Sequence, residues 1–228
     1  MHRALSSLSR FAVIVPLALL APLTAPAQAA AVEEAQASFS IAKARTLPLG
    51  SKVTVRGSVS TPSGAFESSF GDKGFGLQDA TAGIYVSFAT NVNTAPNDVA
   101  RVTGILQDHS GLLVVVPSAA DDVKIHHGGP ATRPERIATA DVGESTEARI
   151  VRVAGTITEG PIDDAPYGFK FKVNDGSGNV VVFVNVQTGI AMSSLHLGQS
   201  VRITGFSSQY ADHYEIDPRS PDDIVARP

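Results

Sequence analysis

One strand–turn–strand unit is written twice in this chain. Gly76-Leu-Gln-Asp79-Ala-Thr-Ala-Gly83-Ile-Tyr-Val-Ser-Phe88 is matched, 96 residues on at its aspartate, by Lys172-Val-Asn-Asp175-Gly-Ser-Gly-Asn179-Val-Val-Val-Phe-Val184. In the first copy Leu77 precedes the turn, and Ile84, Val86 and Phe88 then alternate with Tyr85 and Ser87. In the second, Phe171 and Val173 come first, and Val180, Val182 and Val184 alternate with Val181, Phe183 and Asn185. Period-two alternation marks a half-buried strand, and a short Asp- and Gly-rich turn between two such strands marks a hairpin.

The flanking text repeats as well. Val53-Thr-Val-Arg-Gly57 matches Val151-Arg-Val-Ala-Gly155, Arg101-Val-Thr-Gly104 matches Arg202-Ile-Thr-Gly205, and Asp121-Asp122-Val123 matches Asp222-Asp223-Ile224. The offsets run from 96 to 101, so the sequence reads as a tandem duplication. Its boundary falls at the punctuated His126-His-Gly-Gly-Pro130, which gives domains at 38–128 and 131–228.

The first 29 residues stand apart. Arg3 and Arg10 precede the apolar run Phe11–Leu23, and Ala27-Gln28-Ala29 supplies a small-x-small cleavage site, the pattern of a secretory signal peptide. Pro16 and Pro22 interrupt the run and it is short for a membrane span. The expectation is export to the periplasm or beyond, with no span in the mature chain. That removes two of the 18 Lys and Arg and none of the 22 Asp and Glu, leaving −6. Such a balance argues against non-specific gripping of phosphate backbones, which needs clustered positive charge, though not against a local basic face. Without cysteine there is no disulfide framework and no thiolate zinc site. Ser38–Arg45 reads as one helical turn or an extended lead-in, and its Ser40-Ile-Ala-Lys43 as a chance S-x-x-K.

Each repeat offers five short strands: about 52–60, 75–79, 83–89, 100–107 and 111–116, then 149–158, 168–174, 180–186, 200–206 and 212–217. The segments 61–74 and 159–168 read as loops, as does 91–98, while 188–197 reads as a short helix. An interior glycine in each first strand, Gly57 and Gly155, suits a strand that bends sharply to serve both sides of a barrel. Five strands with a bent first strand describe an OB-fold. The fold class is therefore all-β, two tandem five-stranded OB-fold-like barrels after a signal peptide. With these residues the chain resembles the OB-fold modules attached to secreted bacterial nucleases and related extracellular proteins, a resemblance that implies nucleic-acid binding.

On OB-folds, ligands cross strands two and three, flanked by the loops joining strands one to two and four to five. Alternation turns Arg152, Lys170, Lys172 and Asn174 outward in the second copy, with Val181, Phe183 and Asn185. Lysines beside an exposed ring serve single strands: charge for phosphates and a ring for base stacking. In the first copy the outward set is Arg56, Gly74, Gly76, Gln78, Tyr85 and Ser87, with Lys73 at the loop edge. The glycines there either admit a ligand to the backbone or ease a twisted strand. The segment Ser207–Tyr214 reads as the last flanking loop, with Tyr210 and His213 able to grip a sugar or a nucleotide edge.

No catalytic, metal or cofactor site is expected. His126 and His127 are adjacent and point apart, Asp163-Asp164 lies in an expected loop, and Asn174–Asn179 lacks the glutamate of a calcium loop. The expectation is a binding protein for single-stranded nucleic acid or another oligomer such as an oligosaccharide. The alternative is a scaffold for a protein or an envelope polysaccharide.

Overall fold

The computed structural model describes residues 38–66 and 71–226. The segment read as a signal peptide lies outside them. The first repeat opens with a short helix, α1 (Ile41–Arg45), whose first turn Ser40 caps by accepting from the Lys43 N–H at 3.3 Å. There follow β1 (Lys52–Val59), β2 (Phe75–Gln78), β3 (Gly83–Val86), β4 (Val99–His109), β5 (Leu112–Val116) and β6 (Val123–His126). The sheet runs β1-β2-β3-β5-β4-β6, and a seven-residue antiparallel ladder between β1 and β4 closes β1 to β5 into a barrel. The β3–β5 pair is parallel.

The second repeat has the same plan: β7 (Glu135–Arg136), β8 (Ile150–Asp164), β9 (Gly168–Asn174), β10 (Asn179–Asn185), β11 (Ser200–Tyr210), β12 (His213–Asp217) and β13 (Ile224–Ala226). Its order is β13-β11-β12-β10-β9-β8-β7, closed by β8–β11, with β10 and β12 parallel. The expected fold class is therefore present in the described residues.

The alternating residues supply the cores. Val53, Val55, Phe75, Leu77, Ile84, Val86, Val102 and Leu106 fill the first barrel, and Val151, Val153, Phe171, Val173, Val182, Val184, Val201 and Ile203 the second. The two bend glycines are required by close approach. A Cβ on Gly57 would lie 2.6 Å from the Gln78 carbonyl oxygen, and one on Gly155 2.5 Å from that of Asn174.

The hairpin aspartates are the second shared device. Asp79 accepts from the N–H of Ile41 at 2.8 Å and of Thr81 and Ala82 at 2.7 and 2.9 Å. Asp175 accepts from the N–H and hydroxyl of Thr139 at 3.1 and 2.7 Å and from the N–H of Ser177 at 3.0 Å. Each aspartate thus ties the hairpin to the segment that leads into its own barrel. That lead-in runs parallel to the first strand in both copies, as a Phe39–Val55 bridge and as β7 on β8.

Four expectations need correction. Glu159–Asp164 is not a loop but the end of β8, which pairs with β9 as far as Asp164–Gly168 through register shifts around Glu159; these bulges accommodate Gly160 and Pro161. Asp163 and Asp164 thus lie on a strand. Ser207–Tyr210 is likewise strand, the end of β11, and it turns at Ala211 and Asp212 into His213–Tyr214, which open β12 as the strand expected over 212–217 has them. The segment 188–197 forms no α-helix, only the end of a 3₁₀ turn, Val186–Thr188. Finally, each barrel gains an edge strand, β6 or β13, too short to show a period.

Candidate ligand-binding face

The duplication allows the two outer faces to be compared residue for residue. Gly74, Gly76, Tyr85 and Ser87 of the first barrel stand where Lys170, Lys172, Val181 and Phe183 stand in the second. The first set is buried. Tyr85 is 2% exposed, packed edge-on against Phe206 of β11 with ring centroids 5.9 Å apart. Phe66, Leu112 and Val114 of the first repeat and Ala148, Ile150 and Phe206 of the second complete this shared core. A Cβ on Gly76 would come within 2.8 Å of the Phe206 ring.

Tyr85 is accordingly removed as a ligand-binding residue. What approaches the bare backbone of β2 is the second barrel. The Tyr85 hydroxyl donates to Asp72 at 2.8 Å, and Ser87 donates to the same carboxylate at 2.6 Å. Burial, reinforced by the Asp72 charge, pushes the Tyr85 phenol well above its ordinary pKa. Lys73 is half-buried beside this seam, its N–H bonded to the Phe88 carbonyl at 2.7 Å.

Polar contacts extend the seam. Ile150 N–H donates to Gln78 at 3.0 Å, Arg219 to the Ser60 carbonyl at 3.0 Å, and Ala211 N–H to the Ser110 carbonyl at 2.6 Å. Arg45 pairs with the buried Glu147 at 3.0 Å. Asp217, opposite Phe206, is buried and its Oδ1 has no hydrogen-bond partner. Burial, and then the neighbouring Glu215, raises its pKa well above the carboxylate range.

The second barrel keeps its β9–β10 face open. Cross-strand register sets Ile162, Lys170 and Phe183 in one row and Glu159, Lys172 and Val181 in the next. Ile162 is exposed and Phe183 half-buried, and Tyr167 at the β8–β9 turn is 67% exposed. Both lysines are ion-paired, Lys170 with Asp164 at 3.2 Å and Lys172 with Glu159 at 2.6 Å. Their side chains remain 45% and 39% exposed, and exposed pairs of this kind contribute about 0–1 kcal/mol, so competing groups can displace them.

Across β12, Glu215 neighbours Val181, and His213 lies two residues back. The Glu215 carboxylate, 3.4 Å away, raises the His213 pKa against the opposing effect of burial. Tyr210, 52% exposed, stacks edge-on with His213 at 6.1 Å. Lys170, Lys172, Phe183, His213 and Tyr210 therefore belong to one side of one barrel.

Arg152 and Arg56 do not join them. Arg152 donates to Thr204 of β11 at 3.0 Å, and seven residues of β8 separate it from Glu159, the partner of Lys172, which is about 20 Å of strand. Arg56 stands on the β1–β4–β6 side, opposite Arg101, itself opposite Lys124. Asn185, expected outward, is buried. Ile162 and Tyr167 were missed because their segment reads as a loop. Among the described residues no cluster of three or more His, Asp or Glu is placed to hold a metal ion, and no helix is long and apolar enough to cross a membrane.

No protein-family model and no curated protein matches the chain, so the likeness to modules of secreted nucleases gains no support there. Among solved structures, one described as a murine DNA-binding protein bound to double-stranded DNA is 15% identical, over 77% of this chain and 96% of that one, at a TM-score of 0.40. Another, described as a HIN domain in complex with a 20-base-pair duplex, is 11% identical over 79% of this chain and 97% of that one, at 0.31. At these scores the matches carry no inference about ligand.

Proposed function

We propose that the protein is an exported binding module, not a catalyst, that takes a strand-like oligomer across β9 and β10 of the second barrel, single-stranded nucleic acid first. One observation carries this reading: of two equivalent faces only this one is open, and it sets Phe183 in cross-strand register with Lys170, with Lys172 in the adjoining row. A ring for stacking, two ammonium groups, and Tyr210 and His213 at the flank are the parts such a strand needs. The duplication then has a division of labour. One barrel docks and the other binds.

A second reading has its own support. Glu159, Asp164 and Glu215 surround the two lysines, which favours an uncharged oligosaccharide or a peptide over a polyanion. Fluorescence anisotropy with a labelled oligonucleotide, at low and moderate salt, separates the two. Binding that weakens with salt and is lost in Lys170→Ala with Lys172→Ala supports the first reading. Silence at low salt, with saturable binding of an oligosaccharide that Phe183→Ala removes, supports the second. Export rests on the N-terminal pattern, and the mass of the protein recovered from cell fractions tests it.

A further inference from the structure

Each repeat carries a groove in the same place. In the first, Arg56, Gly57 and Ser58 of β1, Gln78, Asp79 and Ala80 at the hairpin turn, and Val99 of β4 enclose about 360 Å³. The remaining wall is the connecting segment, through Pro130, Thr132 and Arg133. In the second, Ala154, Gly155 and Thr156, Asn174, Asp175 and Gly176, and Ser200 with Val201 enclose about 500 Å³. These residues correspond at the repeat offsets of 98, 96 and 101. No described segment lines the second groove as 130–133 lines the first.

The connecting segment shows how such a groove holds an extended chain. Gly129 N–H donates to the Asn97 carbonyl at 2.6 Å, Thr132 N–H to the Asn97 side chain at 3.1 Å, and Gly128 N–H to Asp98 at 3.1 Å. Gly129 has to be glycine, since a Cβ would meet the Asn97 carbonyl oxygen at 2.8 Å and the Val99 side chain at 2.5 Å. In the second repeat Gly198 takes the place of Asn97. Both have left-handed backbone, φ 81° and 77°, and both donate to the first strand, Gly198 to Ile157 and Asn97 to Val59, at 2.9 Å. The Gly198 carbonyl is thus framed as that of Asn97 is, and it accepts no hydrogen bond from the described residues.

We propose that the groove of the second repeat is a docking site for an extended, glycine- and proline-containing peptide segment, held as 128–133 is held in the first. The site adjoins the end of the β9–β10 face at Asn174 but lies beyond its two lysines, and it does not depend on what that face binds. Gly198 and Gln199 replace Asn97 and Asp98, so the two side-chain anchors are missing and the backbone contact remains. Capture is therefore weak and exchangeable. The walls are polar, with Thr156, Asn174, Asp175 and Ser200, and the acid suits a basic residue in the peptide.

Titration with a synthetic peptide of the sequence His127–Arg133, followed by NMR shifts, tests this in the full chain. Saturable binding by the wild type is expected, with shifts at 154–156, 174–176 and 198–201. Ala154→Trp and Ser200→Trp, both at exposed positions on different strands, should each weaken it about tenfold, and Gly198→Asn with Gln199→Asp should tighten it about tenfold, or 1.4 kcal/mol. Melting curves check that each variant folds, and the gain-of-binding variant stands even if a tryptophan variant does not. No saturable binding at millimolar peptide, or binding indifferent to the substitutions, overturns the proposal.

Discussion

At residue scale, Gly76 and Asp217 carry opposite lessons. Gly76 lies under the Phe206 ring because it has no side chain, so Gly76→Ala overpacks the seam and should cost about 1–3 kcal/mol in urea denaturation. Asp217 is a carboxyl whose raised folded pKa means that the native state keeps a proton the unfolded chain releases near 3.8. Its contribution therefore falls as pH rises above about 4 and is lost toward the folded value. Asp79 and Asp175 work in the other direction. Burial alone would raise the Asp79 pKa, but bonds from Ile41, Thr81 and Ala82 hold it down; the Ser177 hydroxyl and N–H, with Thr139, hold down Asp175. Their stabilisation is present above 3.8 and lost as pH falls through the folded values. Thermal melts should thus peak on the acid side of neutrality. Asp217→Asn should raise the melting temperature at pH 7 and flatten its decline from pH 5; an unchanged slope would mean that Asp217 is not the source.

At element scale, the hairpins and their lead-in segments act as units. Asp79→Ala and Asp175→Ala each remove a cap-like set of bonds and should cost about 1 kcal/mol apiece, close to additively because they serve different barrels. Much of this level was legible in the sequence. The strand pairs around Asp79 and Asp175 alternate cleanly, and Gly57 and Gly155 mark the bends. Glu159–Asp164 was illegible because Gly160, Pro161 and two acids carry a loop's composition, while the pairing that makes it strand comes from β9. The fate of Tyr85 was also hidden. Its alternation places it outward, correctly, but burial of an outward face depends on what lies across from it. The signal available was the contrast of Gly74 and Gly76 with Lys170 and Lys172, since bare backbone at alternate positions invites a close neighbour.

At the scale of the whole molecule, the two barrels have diverged around one contact. Phe206 from the second repeat closes over Tyr85 and Gly76 of the first, and truncating it should cost about 3–5 kcal/mol. Phe206→Ala should also raise proteolytic sensitivity at the connecting segment; an unaltered digestion pattern and midpoint would deny the ring its place in the seam. The central claim is that equivalent faces are sealed in one barrel and open in the other. Because the chain has no cysteine, thiol labelling reads this directly at the equivalent positions Ser87 and Phe183. Phe183→Cys should react at a rate approaching that of a free thiol, and Ser87→Cys orders of magnitude more slowly until Phe206→Ala is added. Comparable rates at the two positions in the otherwise intact protein would contradict the account.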